Sequence, residues 1–211
     1  MKKTVSVLLS ILTAIAVMTG SIAVPIIIRP FYYAHISPLQ LTQYGLTEAE
    51  IKDSFDDVMD YCLGFADEFS AGGLPFSAEA AAHFADVRGM FITDLAVLAV
   101  CVLIFAVLKV LKYEPHKFSG FSPAFYGAVG LIVLAVVIGV FVAVDFDATF
   151  MAFHKLFFPG KTNWVFNPEL DPIIIYLPEV FFRNCAILIF SVMAIASIVI
   201  IAVDMKKSQV K

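Results

Sequence analysis

Val5–Ile28, VSVLLSILTAIAVMTGSIAVPIII, holds no ionisable side chain; the nearest flanking charges are Lys3 and Arg29. A helix rises about 1.5 Å per residue, so roughly 20 apolar residues cross about 30 Å of hydrocarbon, and this run exceeds that length. An open strand there would leave backbone N–H and C=O groups unpaired in lipid, so a helix is the only workable conformer. Three further runs repeat the pattern. One is Leu95–Leu108, extended outward by Met90, Phe91 and Ile92 and interrupted by Asp94; the others are Phe121–Val144 and about Phe181–Val203. Spans are therefore predicted at about 5–28, 91–111, 121–144 and 181–203 within one membrane domain, 1–211. Composition agrees: 61% hydrophobic, 15% charged and 21 phenylalanines give a mean hydropathy of +0.92, outside the range of soluble domains. The fold class expected is all-α and integral to a membrane, with four transmembrane helices and a structured extracytoplasmic cap. That cap consists of amphipathic helices and an aromatic-rich interfacial segment. The net charge of −4 offers no nucleic-acid partner.

Lysine and arginine set the orientation. With a cytoplasmic N-terminus, the inner side carries Lys2, Lys3, Lys109, Lys112, Lys117, Lys206, Lys207 and Lys211 against only Glu114 and Asp204. Arg29, Lys52, Arg88, Lys155, Lys161 and Arg183 then face outward over much longer segments, with the other sixteen acids. Both termini are expected in the cytoplasm, with a loop at 112–120 inside and segments 29–90 and 145–180 outside. Ser21-Ile22-Ala23 loosely resembles a signal-peptide cleavage site, but the apolar run continues past it to Ile28, so an uncleaved helix is expected. Cys62, Cys101 and Cys185 form no disulfide framework and no CxxC pair.

In the first outer segment Phe31, Tyr32, Tyr33 and His35 read as interfacial anchors. Thr47-Glu48-Ala49-Glu50 reads as a capping box that opens a helix, with Ile51, Phe55, Val58, Met59, Cys62 and Phe65 on one face. Asp53, Asp56, Asp57 and Asp60 lie opposite and read as a solvated acidic face. Gly72-Gly73-Leu74-Pro75 breaks that helix, and Ser77 suits an N-cap for the next, which leads into the second span. The second outer segment is dense in aromatics, with an interfacial helix expected over about Ala148–Phe158. Glu179 and Arg183, one turn apart, read as an ion pair. His116 reads as a solvated loop residue.

Two histidines fall within these outer segments. His83 precedes Asp86 by one helical turn, the spacing at which a carboxylate can accept from one ring nitrogen and leave the other basic. His154 stands among Phe153, Phe157 and Phe158. Either alone reads as a surface or interfacial residue; on one side of a membrane, a pair titrating near neutrality can remove one proton and return another.

The strings His83–Arg88, HFADVR, and Phe153–Asp171, FHKLFFPGKTNWVFNPELD, resemble the signature of the Lit-type lipoprotein intramolecular transacylases, bacterial membrane enzymes of four helices. The resemblance covers essentially the whole chain, though residues 29–65 align with no motif. It implies transfer of the sn-2 acyl chain of a diacylglyceryl lipoprotein anchor onto the α-amino group of its own N-terminal cysteine, giving a lyso-form lipoprotein. It also implies that His83 and His154 are the catalytic residues, that diacylated lipoproteins are the substrates, and that the site faces outward from a bacterial cell membrane. Arg88, Trp164 and Asn167 are candidate donors to a tetrahedral oxyanion, and Asp86 and Asp171 candidate orienters of imidazole or backbone. No cofactor is expected. GxSxG, HExxH and Walker motifs are missing, which disfavours a serine hydrolase, a zincin or a nucleotide-driven pump, and no metal-ligand spacing points to a metal. The rival reading is a non-enzymatic membrane protein whose acidic outer segment binds a partner.

Overall fold

The computed structural model describes residues 2–209. In chain order it has α1 (Lys2–Ile27), α2 (Arg29–Ile36), a 3₁₀ turn (Leu41–Tyr44), α3 (Glu48–Cys62), α4 (Ala78–Val110), α5 (Pro123–Val144), α6 (Phe146–Phe157), α7 (Ile173–Tyr176) and α8 (Glu179–Gln209). No strand occurs among the described residues. The protein is all-α, and α1, α4, α5 and α8 are each long and apolar enough to cross a membrane. Only 6% of the most apolar window of α4 and 11% of that of α8 is buried, with Leu103, Val133 and Ile195 among the exposed side chains. So much outward apolar surface requires lipid rather than water as its solvent.

The chain divides into two compact units. One comprises the residues up to Ala23, Asp94–Val144 and Ile187 onward; the other comprises Val24–Thr93 and Asp145–Ala186. In the first unit, lipid cannot supply the driving force that water supplies to a soluble core, so helices associate by close van der Waals approach at small residues. Gly127 of α5 is such a point: a Cβ there would lie 2.2 Å from the Ser10 carbonyl oxygen and 3.0 Å from Thr13 Cβ of α1. Gly127→Ala is expected to force α1 and α5 apart at a cost of about 1–3 kcal/mol, read as a lower thermal midpoint in detergent. An unchanged midpoint would show that this approach does not matter. In the same unit the Ser122 N–H donates to the Asp204 carboxylate at 2.9 Å, closing the N-terminus of α5 against α8.

In the second unit, Thr47 and Glu50 form the capping box: the Thr47 Oγ1 accepts from the Glu50 N–H and the Glu50 carboxylate from the Thr47 N–H. The apolar face of α3 is buried through Ile51, Phe55, Val58, Met59 and Cys62, and Phe55 stacks on Tyr32 of α2 at 3.9 Å. Tyr32 is buried and its hydroxyl donates to the Tyr176 carbonyl at 2.7 Å, tying α2 to α7. Phe65 departs from the expected face: the helix ends at Cys62, and Phe65 is 77% exposed. The acidic side of α3 is also not simply solvated. Asp56 and Asp60 pair with Arg29, Asp56 accepts from the Tyr33 hydroxyl, and Asp57 accepts from the Ser70 hydroxyl and the Gly72 N–H. These carboxylates fasten α2 and the 70–72 turn to α3, because each finds a donor brought near by the chain reversal. Gly72 has φ +65°, and a Cβ would meet Ser54 Oγ at 2.6 Å, so the turn needs glycine there. Burial lifts the Cys62 thiol to about 12, leaving it an inert packing group.

Candidate active site

His83 and His154 come together inside the second unit, their rings 5.9 Å apart between centroids and both buried, at 7% and 8% exposure. His83 stands in the second turn of α4. That helix starts after Ser77, whose Oγ accepts from the Ala80 N–H at 3.1 Å. Ser77 is itself held: its N–H donates to Asp171 Oδ1 at 2.6 Å and its hydroxyl to Asp171 Oδ2 at 3.1 Å. Asp171 is thus a buried carboxylate placed at the positive end of α4.

His154 lies in the last turn of α6, which Asp145 opens by accepting from the Ala148 N–H. The helix runs Phe146–Phe157, two residues ahead of the expected start, because Asp145 is the cap. His154 Nδ1 lies 2.8 Å from the Phe150 carbonyl, four residues back. A carbonyl only accepts, so Nδ1 carries the proton and Nε2 is left with its lone pair. Trp164 stacks on the ring at 4.8 Å and 30°, and its indole N–H donates to the Lys161 carbonyl at 3.0 Å. Phe158 borders both imidazoles, at 5.1 Å from His83 and 5.8 Å from His154, and Phe166 adds an edge to His83 at 5.4 Å.

Burial sets the electrostatics. It pushes His83 down to about 4, with the neighbouring His154 adding to the effect and Asp86 opposing it. Burial also lowers His154, while the bond to the Phe150 carbonyl works the other way. Both rings are therefore neutral near pH 7. His83 Nδ1 is buried without a partner.

The expected pairing of His83 with Asp86 is replaced by a stronger one. Lys161 Nζ donates to both Asp86 oxygens, at 2.6 and 2.7 Å, and Asn163 Nδ2 donates to Oδ2 at 3.3 Å. A cation outcompetes a neutral imidazole for a carboxylate. Burial works against the charged Asp86, yet the bonds from Lys161 and Asn163 hold it below its usual value. Of the three expected oxyanion donors, only Trp164 has its single N–H in a bond; Arg88 gives one of its N–H groups, and the bond at Asn167 does not involve its Nδ2. Arg88 donates to the Ala66 carbonyl at 2.8 Å and lies over the Tyr61 ring, the Trp164 N–H is taken by Lys161, and Asn167 Oδ1 accepts from the Glu169 N–H in a turn. Glu179 forms no ion pair with Arg183 either; the nearby Asp147 is the main cause of its raised pKa, with Arg183 opposing. His35 donates to the Phe31 carbonyl four residues back. Sequence reasoning passed over Lys161 and Asn163, although both stand in the string around His154. Among the described residues no three histidine, cysteine or acidic side chains cluster as metal ligands.

Four lipid-crossing helices, with two neutral histidines buried outside the apolar spans, define an integral membrane protein carrying a site suited to proton transfer. The family model for the lipoprotein intramolecular transacylase Lit matches residues 7–182, and the chain belongs to that family. The in meso structure of the membrane integral lipoprotein intramolecular transacylase Lit from Bacillus cereus matches with a TM-score of 0.89 at 25% identity, covering 100% of this chain and 99% of that one. Two structures of the same enzyme with one histidine replaced, by arginine and by alanine, match with TM-scores of 0.81 and 0.80, each at 25% identity. They cover 100% of this chain and 94% and 96% of their own. No curated protein sequence matches. The chain is accordingly an acyltransferase, a lipoprotein intramolecular transacylase, rather than a partner-binding protein without catalysis.

Proposed function

We propose that the enzyme moves the sn-2 acyl chain of a lipoprotein's diacylglyceryl anchor to the α-amino group of the same N-terminal cysteine, with His154 as the general base and His83 as its electrophilic partner. The observation that carries this is the His154 tautomer: the Phe150 carbonyl holds the proton on Nδ1 and leaves Nε2 basic beside a second buried imidazole. Nε2 takes a proton as the amine nitrogen attacks the ester carbonyl carbon. That attack forms the N–C bond; the tetrahedral oxyanion then collapses, its electron pair re-forming the C=O as the C–O bond to glycerol breaks, and the imidazolium of His154 returns its proton to the departing glyceryl oxygen. Amine and ester share one molecule, so proximity replaces an encounter. Neutral His83 has one N–H to donate to the oxyanion, a role in which a depressed imidazole pKa is an advantage. The same reading puts both termini in the cytoplasm and the site at the extracytoplasmic face, with 29–90 and 145–180 outside and 112–120 inside; the lysine and acid asymmetry supports it.

The deciding experiment is mass spectrometry of a diacylated lipoprotein incubated with the purified enzyme. An N-acylated cysteine with a monoacylglyceryl thioether is the expected product; an unaltered anchor, or free fatty acid alone, would overturn the reading. The pH profile adds a sharper check. An α-amine titrates at roughly 7.7–8.0, so the logarithm of the rate is expected to rise with unit slope through neutral pH. A second unit of slope, from protonation of His154, is expected only below the ordinary imidazole value of 6.5, because burial lowers this group. A second break at or above that value would contradict the assignment. Stability follows the same sign: His83 is neutral when folded and protonates when unfolded, so its contribution is complete above 6.5 and is lost as pH falls toward about 4.

A further inference from the structure

Residues 159–166 form a loop that packs on both imidazoles. Trp164 stacks on His154 at 4.8 Å, and Phe166 sets an edge against His83 at 5.4 Å. One side chain fastens this loop. Apart from the turn in which the Lys161 N–H donates to the Phe158 carbonyl, every hydrogen bond that leaves 159–166 among the described residues ends on Asp86. Lys161 Nζ reaches both carboxylate oxygens, at 2.6 and 2.7 Å, and Asn163 Nδ2 reaches Oδ2 at 3.3 Å. The Trp164 indole in turn donates to the Lys161 carbonyl at 3.0 Å, so the residue that grips Asp86 also anchors the ring over His154. Asp86 itself stands one turn beyond His83 on α4. A single carboxylate therefore links the helix that carries one histidine to the ring stacked on the other.

We propose that Asp86 is a positioning residue for both imidazoles: through Lys161 and Asn163 it holds the 159–166 loop so that Trp164 stays over His154 and Phe166 beside His83. The role rests on the proposed reaction at the histidine pair. With the two side chains 25% and 49% exposed, the ion pair adds little to global stability, and its consequence is positional. Acyl transfer needs amine, ester carbon and imidazole in register, where a misplacement of about 1 Å costs roughly 10²-fold. The competing account is a direct action of Asp86 on His83, and charge separates the two. Asp86 and Lys161 act on His83 in opposite senses, so a direct electrostatic role moves the rates of variants lacking one or the other in opposite directions. A clamp lowers both rates, and once Asp86 is gone the loss of Lys161 costs nothing more.

The test is a double-mutant cycle of Asp86→Ala and Lys161→Met on the full-length enzyme, read by acyl transfer and by Trp164 fluorescence. Asp86→Ala is expected to lower kcat by roughly 10–100-fold with KM nearly unchanged. Lys161→Met is expected to lose less, because Asn163 still donates to Asp86, and the double variant is expected to match Asp86→Ala. Trp164 is the only tryptophan in the chain, so its emission reports this loop alone. Acrylamide quenching of that emission is expected to rise in the same order, while the thermal midpoint moves little. Losses that multiply in the double variant, rates that move in opposite directions, or transfer at the wild-type rate by Asp86→Ala would overturn the proposal. Quenching needs no turnover, which keeps the two readings apart. Unchanged quenching in Asp86→Ala sinks the clamp even where acyl transfer proceeds. Raised quenching beside a wild type that transfers no acyl chain keeps the loop fastened by Asp86 and rejects the reaction.

Discussion

Replacing His154 with phenylalanine is expected to reduce acyl transfer by roughly 10²–10⁴-fold, the usual contribution of a general base, with little change in membrane abundance or helix content. Phenylalanine keeps a flat ring for Trp164 to stack on, so the aromatic packing at 4.8 Å survives while both nitrogens go. The Nδ1–H bond to the Phe150 carbonyl is lost as well, but α6 keeps its cap at Asp145. The loss is therefore expected in the chemical step rather than in folding, and should appear in kcat with KM nearly unchanged. His154→Ala is expected to lose as much activity and in addition to loosen the 158–166 loop, which a lower thermal midpoint would show. Retention of transfer within about a few-fold in the phenylalanine variant would remove His154 from the reaction.

Asp171→Ala is expected to be the most destabilising single change in the second unit, by roughly 2–4 kcal/mol. The carboxylate is 3% exposed and accepts two hydrogen bonds from Ser77 at the start of α4. Its removal strands the Ser77 N–H, frees the Ser77 hydroxyl from its position over the Ala80 N–H and takes a negative charge from the helix N-terminus. Because His83 lies only two turns inside that end, the first turns of α4 loosen where the imidazole must be held, and activity falls with stability. Asp171→Asn keeps one acceptor for the Ser77 N–H and is expected to lie between the two. Thermal unfolding in detergent, followed by circular dichroism, orders the three proteins. An alanine variant as stable as the wild type would show that Ser77 caps α4 without help.

Much of this was legible in the chain. The four spans could be read because lipid solvation acts on each helix separately: an uncharged run of about 20 residues is enough, whatever its neighbours do. The Thr47–Glu50 capping box and the Ser77 cap were legible for the same reason, as contacts closed within four residues. The family was legible in the strings around His83 and His154, and the match over residues 7–182 bears that out. Legible too was the relation that fixes the His154 tautomer, since Phe150 stands four residues earlier on the same helix.

Partner choice across long separations was not legible. Asp86 has His83 at helical spacing, yet it binds Lys161 and Asn163, 75 and 77 residues away, because the chain returns a cation to it. Asp171 could be suspected of orienting something, but its partner Ser77 is 94 residues distant. The acids of α3 read as solvated until α2 brought Arg29 and Tyr33 against them. The sequence by itself determined what depends on local chemistry and on lipid as solvent: the helices, their caps and the two histidines. Only the tertiary structure decided which donor meets which acceptor, and that the two imidazoles lie 5.9 Å apart and neutral. Burial and pairing are properties of the assembled interior, where competing partners from distant segments are ranked by charge and distance rather than by spacing along the chain.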